Sequence, residues 1–381
     1  MNPRRNPFTP TFGVTPPLLV GRDEVIEQFA ESLDDHPGAG GRIALYTGMR
    51  GVGKTVMLNS AEEAAGDRQW VVISETASRG MVTRLMSEHL PAALRSRSRR
   101  STKRRASGFT VPVVGGGAIW QTTELHEAAA GLRNQVEELL DLTERRTCGI
   151  LFTVDEINPT HLDDLQQLCV VLQHARRRGR QIAFAGAGLP GAVEDLVALD
   201  GTTFLERADR HELGAVDLAD VEDAIREPIE RAGRSIEPGA LANAAEATEG
   251  YPFMVQLVGA TIWRQQPAHE TITDADVASG VAVARRRIGQ LVHGPVLKRT
   301  SDVDRSFLLA MAVDDGPSRF SDIANRLDAD LNYTSQYRLR LIRAQVIREA
   351  GYGLVDFTVP YLREYLREHA ASLVTEARRP R

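Results

Sequence analysis

One loop constrains the fold of this chain more than any other feature. Residues 48–55 read Gly-Met-Arg-Gly-Val-Gly-Lys-Thr and match G-x-x-x-x-G-K-[ST] at every defined position. They follow an apolar run, Ile43–Tyr46, and open a predicted helix, Thr55–Ala65. In that context the glycines let successive backbone N–H groups converge on phosphates. The predicted nucleotide-binding residues of the loop are Gly48, Met49, Arg50, Gly51, Val52, Gly53, Lys54, Thr55 and Val56.

The motif predicts specific roles for the last two residues of the loop. We expect Lys54 to bridge the β- and γ-phosphates and the Thr55 hydroxyl to bind Mg²⁺. The chain contains only three lysines among its 46 cationic residues, so a lysine at this position is informative. A compact ammonium suits a bridging role better than the planar guanidinium of arginine.

A second motif lies about one hundred residues further on. The apolar run Ile150–Val154 ends in Asp155 and Glu156. We predict that Asp155 lies in the Mg²⁺ shell opposite Thr55 and that Glu156 polarises the attacking water, so that Glu156 and Lys54 are the catalytic residues. The sequence contains no guanine-reading Asn-Lys-x-Asp, which favours ATP over GTP.

Apolar runs alternate with helical segments through the first half of the chain. This order predicts an α/β fold with a mostly parallel sheet, covered by helices on both faces. An apolar run between the phosphate loop and the Asp-Glu motif indicates the additional-strand class of P-loop ATPases. The predicted strands after the first are Trp70–Ile73, Ile150–Val154, Ile182–Ala185 and a last one at Phe204 and Leu205. The predicted helices are Asp23–Leu33, Thr55–Ala65, Leu125–Thr143 and Leu162–Arg178.

Composition restricts the setting of the protein. The 381 residues suit two or three domains. The first residues lack the apolar core of a signal peptide, and no apolar run approaches the ~18–20 residues that span a bilayer. The two cysteines form no paired motif, so a cytoplasmic location without membrane contact is expected. A net charge of −5 means that nucleic-acid binding would depend on local patches.

A basic stretch interrupts the alternation. Its seven cations are Arg95, Arg97, Arg99, Arg100, Lys103, Arg104 and Arg105, and two β-prone runs that predict a hairpin follow before Thr122. The stretch is interpreted either as a solvated loop or as a contact with the phosphates of DNA or RNA.

The rest of the chain divides into two further units. We predict an extended arm over residues 1–17, a P-loop ATPase domain over 18–212 with the insertion at 95–122, an all-helical lid over 213–293 and a third unit over 294–381. The predicted helices of the lid are Asp217–Ala232, Pro238–Thr248, Tyr251–Gln265 and Ala275–Ile288.

The third unit has the pattern of a winged helix-turn-helix. Its predicted helices are Phe307–Val313, one from about Ser321, expected to be capped by that serine, and Tyr333–Ala344; two short strands flank Gly351-Tyr352-Gly353. If the unit binds duplex DNA, the candidate contacts are Ser335, Gln336, Arg338, Arg340 and Arg348. The alternative is a winged helix that contacts a partner protein.

Together these motifs resemble an AAA+ ATPase, and within that superfamily they are similar to replication-initiator, origin-recognition-like and archaeal-type ATPases. The resemblance begins at Leu18-Leu19-Val20-Gly21-Arg22 and covers roughly residues 18–370. It implies that Leu19 and Val20 pack beside the adenine of ATP or ADP, that Arg22 shapes this pocket and that the helical unit is a lid over the nucleotide.

The sequence departs from that family at three places. The fourth strand ends in Ala185-Gly186-Ala187-Gly188, where the family has a polar sensor, and no arginine finger lies between Gly188 and Thr203. Arg207 and Arg210 are substitutes, or residues of surface ion pairs. The lid has Gly250-Tyr251-Pro252 where a sensor arginine would be expected; this resembles the lid motif of STAND-type ATPases, whose proline region closes on the adenine, and Pro252 also fits the first turn of a helix.

Three functions remain open. The first is a slowly hydrolysing ATPase that acts as a nucleotide-controlled switch for a DNA-binding winged helix. The second is a STAND-like signalling ATPase whose winged helix contacts protein. The third is a loader or transposition-type ATPase that forms homo-oligomers on DNA and grips it with residues 95–105.

Overall fold

The architecture is described from a computed structural model over residues 4–38, 40–101, 123–146 and 148–377. The predicted hairpin and the basic residues after position 101 lie outside this range. Among the described residues, no helix combines the length and apolarity that a bilayer crossing requires.

A five-stranded parallel sheet forms the centre of the first unit. Its strands are β1 (Ile43–Thr47), β2 (Val71–Thr76), β3 (Ile150–Ile157), β4 (Ile182–Gly188) and β5 (Asp209–Glu212). Their spatial order is β2-β3-β4-β1-β5, and each neighbouring pair is parallel. Since β4 lies between β1 and β3, the P-loop NTPase fold of the additional-strand class is confirmed.

Helices cover both faces of the sheet, as the alternation predicts. The helices of this unit are α1 (Asp23–Asp34), α2 (Lys54–Asp67), α3 (Met81–Arg84), α4 (Leu90–Ser101), α5 (Thr123–Glu144), α6 (Leu162–Arg177) and α7 (Pro190–Val197). Successive β1 residues point to opposite faces, so Ala44 and Tyr46 join one apolar core and Ile43 and Leu45 the other. Both cores therefore hold β1, the strand that leads into the loop.

Two local predictions in this unit are wrong. Phe204 and Leu205 lie in a 3₁₀ turn, Thr203–Arg207, and the fifth strand follows it. The strand escaped prediction because it reads Asp-Arg-His-Glu and pairs only with β1, at the edge of the sheet, where polar side chains face solvent. The first part of the basic stretch is helical rather than a loop, because α4 extends to Ser101.

The next segment consists of helices that pack over the carboxyl end of the sheet. They are α8 (Leu218–Arg231), α9 (Pro238–Glu246), α10 (Pro252–Trp263), α11 (Asp274–Ile288) and α12 (Gly294–Arg299). A minimal parallel pair, β6 (Ser235–Ile236) and β7 (Thr271–Ile272), joins two of its loops, so the segment is not purely helical. A π-helical turn, Gly289–His293, connects α11 to α12, so that the helix runs without a break from Asp274 to Arg299.

The final segment contains the predicted three helices and two strands, with one further short strand and a closing helix. Its elements are α13 (Asp302–Met311), β8 (Ser318–Arg319), α14 (Phe320–Arg326), α15 (Leu331–Arg343), β9 (Ile347–Glu349), β10 (Leu354–Phe357) and α16 (Leu362–Ala377). The three strands form an antiparallel sheet in the order β8-β10-β9.

The expected cap at Ser321 is wrong. Helix α14 begins at Phe320, and the Ser321 hydroxyl donates to Asp322 Oδ1 at 3.3 Å. Two other side chains cap helices here. Ser301 forms a capping box with Asp304 on α13, and Asp330 accepts from the Tyr333 N–H at the start of α15.

The C-terminal segment packs against both of the others. The Tyr361 hydroxyl donates to the Ala247 carbonyl at 2.7 Å, and the Arg285 guanidinium lies 4.3 Å from the centre of the Tyr361 ring. On the other side, the Arg343 side chain lies against Gly191 of α7, 3.4 Å from where a Cβ would stand. Helix α15, which carries Arg343, therefore contacts the sheet domain directly.

Candidate functional site

The loop after β1 curls as the motif predicts. Gly48, Gly51 and Gly53 all have positive φ, and Gly53 precedes the first residue of α2. The Lys54 ammonium lies over the loop and donates to the Gly48 and Met49 carbonyls, both at 2.8 Å. It therefore occupies the concave side of the loop, toward which the helix N-terminus also points.

Thr55 and Asp155 meet although one hundred residues separate them. The Thr55 hydroxyl donates to Asp155 Oδ2 at 2.6 Å. Both residues stand at the carboxyl end of the sheet, one after β1 and the other near the end of β3. A hydroxyl and a carboxylate oxygen side by side are the hard donors that Mg²⁺ takes in nucleotide sites, so these residues fit that ion.

Glu156 lies at an irregularity of β3. The register between β3 and β4 shifts between Val154 and Ile157, and Glu156 has φ +55°. Its backbone N–H donates to Asp155 Oδ1 at 2.7 Å, while its side chain is exposed toward the cavity. A left-handed non-glycine residue stores strain, and such residues concentrate at functional sites. The irregularity in the strand leaves the Glu156 side chain exposed at the cavity instead of packed in the sheet.

The cations of the loop lack a strong anionic partner. Burial, with a contribution from Arg50, lowers the pKa of Lys54 to about 8, although Asp155 and Glu156 act in the opposite direction. Burial and the neighbouring Arg299 likewise lower the pKa of Arg50. A ligand with several negative charges would relieve both effects.

The helical segment grips the loop through one tyrosine. Tyr251 is fully buried, and its hydroxyl donates to the Arg50 carbonyl at 2.5 Å. Gly51 makes this contact possible, because a Cβ there would lie 2.1 Å from the Tyr251 hydroxyl. Pro252 begins α10 and lines the cavity, so both interpretations of the Gly-Tyr-Pro motif fit its position.

The residues assigned to the adenine pocket come from the segment before α1. Leu19 and Val20 line the cavity and are half-buried. Arg22 also lines it, and its guanidinium donates to the Gly214 carbonyl at 2.6 Å, which ties the segment before α1 to the segment after β5. Burial lowers the pKa of Arg22.

Residues 50–56 of the loop, the Asp155–Glu156 pair, Pro252 and the residues assigned to the adenine pocket line one cavity of about 710 Å³, whereas Gly48, Met49 and Tyr251 do not line it. This volume suits a small-molecule ligand. The sequence missed several lining residues because they come from distant segments: Thr9, Phe12 and Gly13 of the arm, Asn158 and Thr160 after β3, Gln256 of α10, and Leu291, Pro295 and Val296 of the long helix. Only the tertiary fold brings them together, so no local signal could have identified them.

Two of the expected departures bear on catalysis. Strand β4 ends at Gly188 and is fully buried, and the next residue on the cavity wall is Leu189, which has no polar group. Arg207 and Arg210 are exposed, and within the described part of the chain neither forms an ion pair. The interpretation of these two arginines as surface ion pairs is therefore wrong.

The candidate DNA contacts differ in availability. Ser335 is half-buried, Gln336 and Arg348 are exposed, and Arg348 lies 3.9 Å from Asp356. Arg338 pairs with Glu349 at 2.6 Å and its side chain is 22% exposed. Arg340 pairs with Asp304, with Nε 3.0 Å from Oδ1. Three of the five side chains are thus paired with carboxylates of the same chain, and the Arg348 pair is the longest and most exposed of them.

Comparisons with known proteins identify the first unit. Residues 18–185 match the AAA ATPase domain, and residues 290–366 match a domain of unknown function, DUF8462. No curated protein matches the chain.

Solved structures resemble nearly the whole chain. The Walker-type ATPase PABY2304 of Pyrococcus abyssi is 17% identical, with a TM-score of 0.66 over 92% of this chain and 96% of that one. The ORC2 protein of Aeropyrum pernix is 13% identical, with a TM-score of 0.63 over 96% and 98% of the two chains. These structures share the fold of the chain described here.

Proposed function

We propose that this chain, whose residues 18–185 form an AAA ATPase domain, binds ATP with Mg²⁺, hydrolyses it slowly and acts as a switch for its C-terminal unit. One observation carries the proposal. The cavity is lined at once by the phosphate loop, by Asp155 and Glu156, and by Leu291 and Val296 of the helix that leads to the C-terminal unit. A ligand in this cavity would contact both the predicted catalytic residues and the helix that leads to the C-terminal unit.

Each loop residue has a role in this scheme. Lys54 would exchange the Gly48 and Met49 carbonyls for phosphate oxygens, and Thr55 and Asp155 would hold Mg²⁺. Mg²⁺ would offset phosphate charge when it is bound. Glu156 would accept a proton from water as that water attacks the γ-phosphate.

The lack of a polar side chain at the end of β4 is the reason to propose slow turnover. No side chain from Ala185 to Leu189 carries a hydrogen-bond donor that could orient the attacking water. An enzyme that lacks one such oriented donor commonly loses about a hundredfold or more in turnover. We therefore propose that the ATP-bound state is long-lived.

Two substitutions test the ATPase. Lys54→Ala should abolish tight ATP binding, because the β- and γ-phosphates lose their ammonium partner; Glu156→Gln should bind ATP but lose most turnover, because an amide cannot accept the proton. Fluorescent-nucleotide titration and phosphate release measure the two effects. ATP affinity of Lys54→Ala within about threefold of wild type, a loss under ~1 kcal/mol, would refute the phosphate-loop assignment.

We further propose that the chain has an arm at 1–17, an ATPase domain at 18–212, a lid at 213–293 and a winged helix at 294–381. The order helix-strand-helix-helix-strand-strand over α13 to β10 supports the winged helix. Duplex DNA is the partner we propose first, with Ser335, Gln336 and Arg348 as its accessible contacts.

A specific observation favours a protein partner as the second candidate. Arg338 and Arg340 are held in ion pairs, while Leu331, Tyr333 and Leu339 on α15 are 46–54% exposed. Exposed apolar and aromatic side chains are typical of protein interfaces.

Retention of random duplex DNA at low salt, with and without ATP, separates the two partners. DNA binding should weaken steeply as salt rises, and Gln336→Ala with Arg348→Ala should reduce it by about 1–3 kcal/mol per lost base contact. Val170→Ala, an exposed position on α6, is the matched surface control. If the protein does not retain DNA in a salt-dependent way, a protein partner becomes the better hypothesis.

A further inference from the structure

A buried amide stands in the wall of the nucleotide cavity. Gln256 lies on α10, is only 9% exposed and lines the cavity together with apolar residues that include Val20, Val216 and Ala224. Its helix otherwise buries apolar side chains and Thr261, whose hydroxyl bonds within the helix. A buried amide in such surroundings has a cost unless both of its ends find partners.

One end of the amide has its partner. The Thr9 backbone N–H donates to Gln256 Oε1 at 3.1 Å. Because a backbone N–H is only a donor, this bond fixes which end of the amide is oxygen. Nε2, with its two hydrogens, then faces the cavity, and it makes no hydrogen bond to any described residue. The site presents one oriented donor without an acceptor.

The arm that supplies Thr9 is held in place on both sides of that residue. Asn6 Nδ2 donates to the Ala260 carbonyl at 3.0 Å, and Phe8 is buried against Gly259, where a Cβ would lie 2.4 Å from its ring. Phe12 stacks on Phe253 with ring centres 4.4 Å apart and planes 2° apart. The orientation of Gln256 is therefore built into the structure before any ligand arrives.

The arm also reaches the phosphate end of the cavity. The Gly13 carbonyl accepts from Asn59 Nδ2 of α2 at 3.2 Å, and a Cβ on Gly13 would lie 3.5 Å from Thr55 Cγ2. The amide consequently lies in the same cavity as the magnesium-binding hydroxyl, with apolar side chains around it that suit a flat aromatic ring.

From this geometry we propose that Gln256 reads the base of the nucleotide, with Nε2 donating to the N1 ring nitrogen of adenine while Thr9 holds Oε1. The proposal rests on the proposed function, since it requires a nucleotide in this cavity. Guanine carries a hydrogen on N1, so its N1–H donor would face the Nε2 donor of Gln256 and no hydrogen bond could form between them. The amide thereby makes the site selective for adenine. The arm maintains this selectivity, because the Thr9 N–H keeps Oε1 turned away from the base and Nε2 turned toward it.

The test reverses the polarity of the side chain without changing its shape. Gln256→Glu keeps an oxygen for the Thr9 N–H but presents a second acceptor to the base. We expect its affinity for ATP to fall by about tenfold or more and its GTP-to-ATP preference to rise by about a hundredfold, since each mismatched hydrogen bond is worth about one factor of ten. Gln256→Met, which has similar volume and neither donor nor acceptor, should bind the two nucleotides with nearly equal affinity.

Two controls separate a base effect from damage to the site. Magnesium tripolyphosphate has no base, so its affinity should be the same in wild type, Gln256→Glu and Gln256→Met. Gln265→Glu makes the same chemical change on the helix end outside the cavity, where Gln265 Nε2 bonds to the Thr261 carbonyl, and should leave the preference unaltered.

The outcomes distinguish this inference from the proposed function. Wild type that binds neither ATP nor tripolyphosphate would overturn the nucleotide site itself. Wild type that binds ATP, with an ATP-to-GTP ratio unchanged in both Gln256 variants, would overturn base reading by Gln256 and leave the ATPase proposal standing. Loss of tripolyphosphate binding in both variants would also overturn it, because the residue would then support the fold of the site.

Discussion

Lys54 shows how burial prepares a side chain for its ligand. Its ammonium rests on two carbonyls of its own loop, and burial lowers its pKa to about 8. A triphosphate beside it would raise that pKa again, because opposite charge favours the protonated form. The site should therefore take up a proton as the nucleotide binds near pH 8.

We predict that ATP affinity falls as the pH rises above about 8, by up to about tenfold per pH unit. The sign follows from the lowered pKa: above it the free protein has lost the proton that the complex requires. Titration of ATP between pH 7 and pH 9.5 measures the effect. Lys54→Arg should bind less tightly but with little pH dependence, because guanidinium stays charged. Constant wild-type affinity over this range would contradict the prediction.

At the residue scale, the sequence predicted what depends on a short segment. Gly48 to Thr55 form one continuous loop. Asp155 lies near the carboxyl end of β3, and in a parallel sheet that end lies at the same side as the carboxyl end of β1, where the loop begins. Tyr251 was read only as part of a lid motif, and its bond to the Arg50 carbonyl could not be foreseen because 201 positions separate the two. Gln256 lay unnoticed in an apolar helix for the same reason.

At the scale of elements, predictions succeeded where burial imposes a pattern. The three inner strands, β1, β3 and β4, are apolar runs because helices cover them on both faces. Helix α10 also lies where its run of apolar residues indicated. Prediction failed for β5, whose edge position leaves polar residues exposed, and for the helical segment that begins at Met81 and runs into the basic stretch. Seven cations indicated a loop there, but helical arginines on a solvent face give the same composition.

The π-helical turn between α11 and α12 holds a buried histidine. His293 donates through Nε2 to the Pro360 carbonyl at 2.8 Å, and Tyr365 of α16 packs edge-on against its ring. Burial lowers the pKa of His293 to about 4. Protonation would place a charge in the contact between the helical segment and the C-terminal segment.

We predict that stability is lost as the pH falls through the window from 6.5 to 4. His293 binds its proton more readily when the chain is unfolded, so acid favours unfolding, by up to ~2 kcal/mol between pH 6.5 and pH 5. Urea unfolding of His293→Phe should show a smaller loss over this range than wild type. The same substitution at His269, an exposed histidine, should leave the pH dependence unchanged. Identical pH profiles for wild type and His293→Phe would rule the residue out.

At the scale of the molecule, the sheet domain and the helical segment enclose the cavity, and the C-terminal segment packs against both of them. Arg343 contacts Gly191 of the sheet domain, and Tyr361 contacts Ala247 of the helical segment. The helices and strands of the C-terminal segment were predictable from their own pattern. The position of this segment against the sheet domain was not, because isolated contacts between residues more than a hundred positions apart leave no periodicity.

The absence of an arginine between Gly188 and Thr203 leads to a prediction about assembly. We expect the specific ATPase activity to stay constant as the protein is concentrated, because no finger from a neighbour completes the site. Arg207→Ala and Arg210→Ala should then be as active as wild type. Activity that climbs steeply with concentration and disappears in one of these variants would instead show an arginine acting across a homo-oligomer.

The unbroken helix from Asp274 to Arg299 gives the molecule a lever. At 1.5 Å per residue its roughly 26 residues span ~39 Å, so a tilt of ~10° about one end displaces the other by ~7 Å. The nucleotide cavity lies beside the distal third of this rod, at Leu291, Pro295 and Val296, next to the point where the C-terminal unit begins. If the proposed switch operates, the gain or loss of one phosphate would act on this helix close to the C-terminal unit. A ligand that acts so close to the C-terminal unit would displace it by a small, well-defined distance and not by the full ~7 Å.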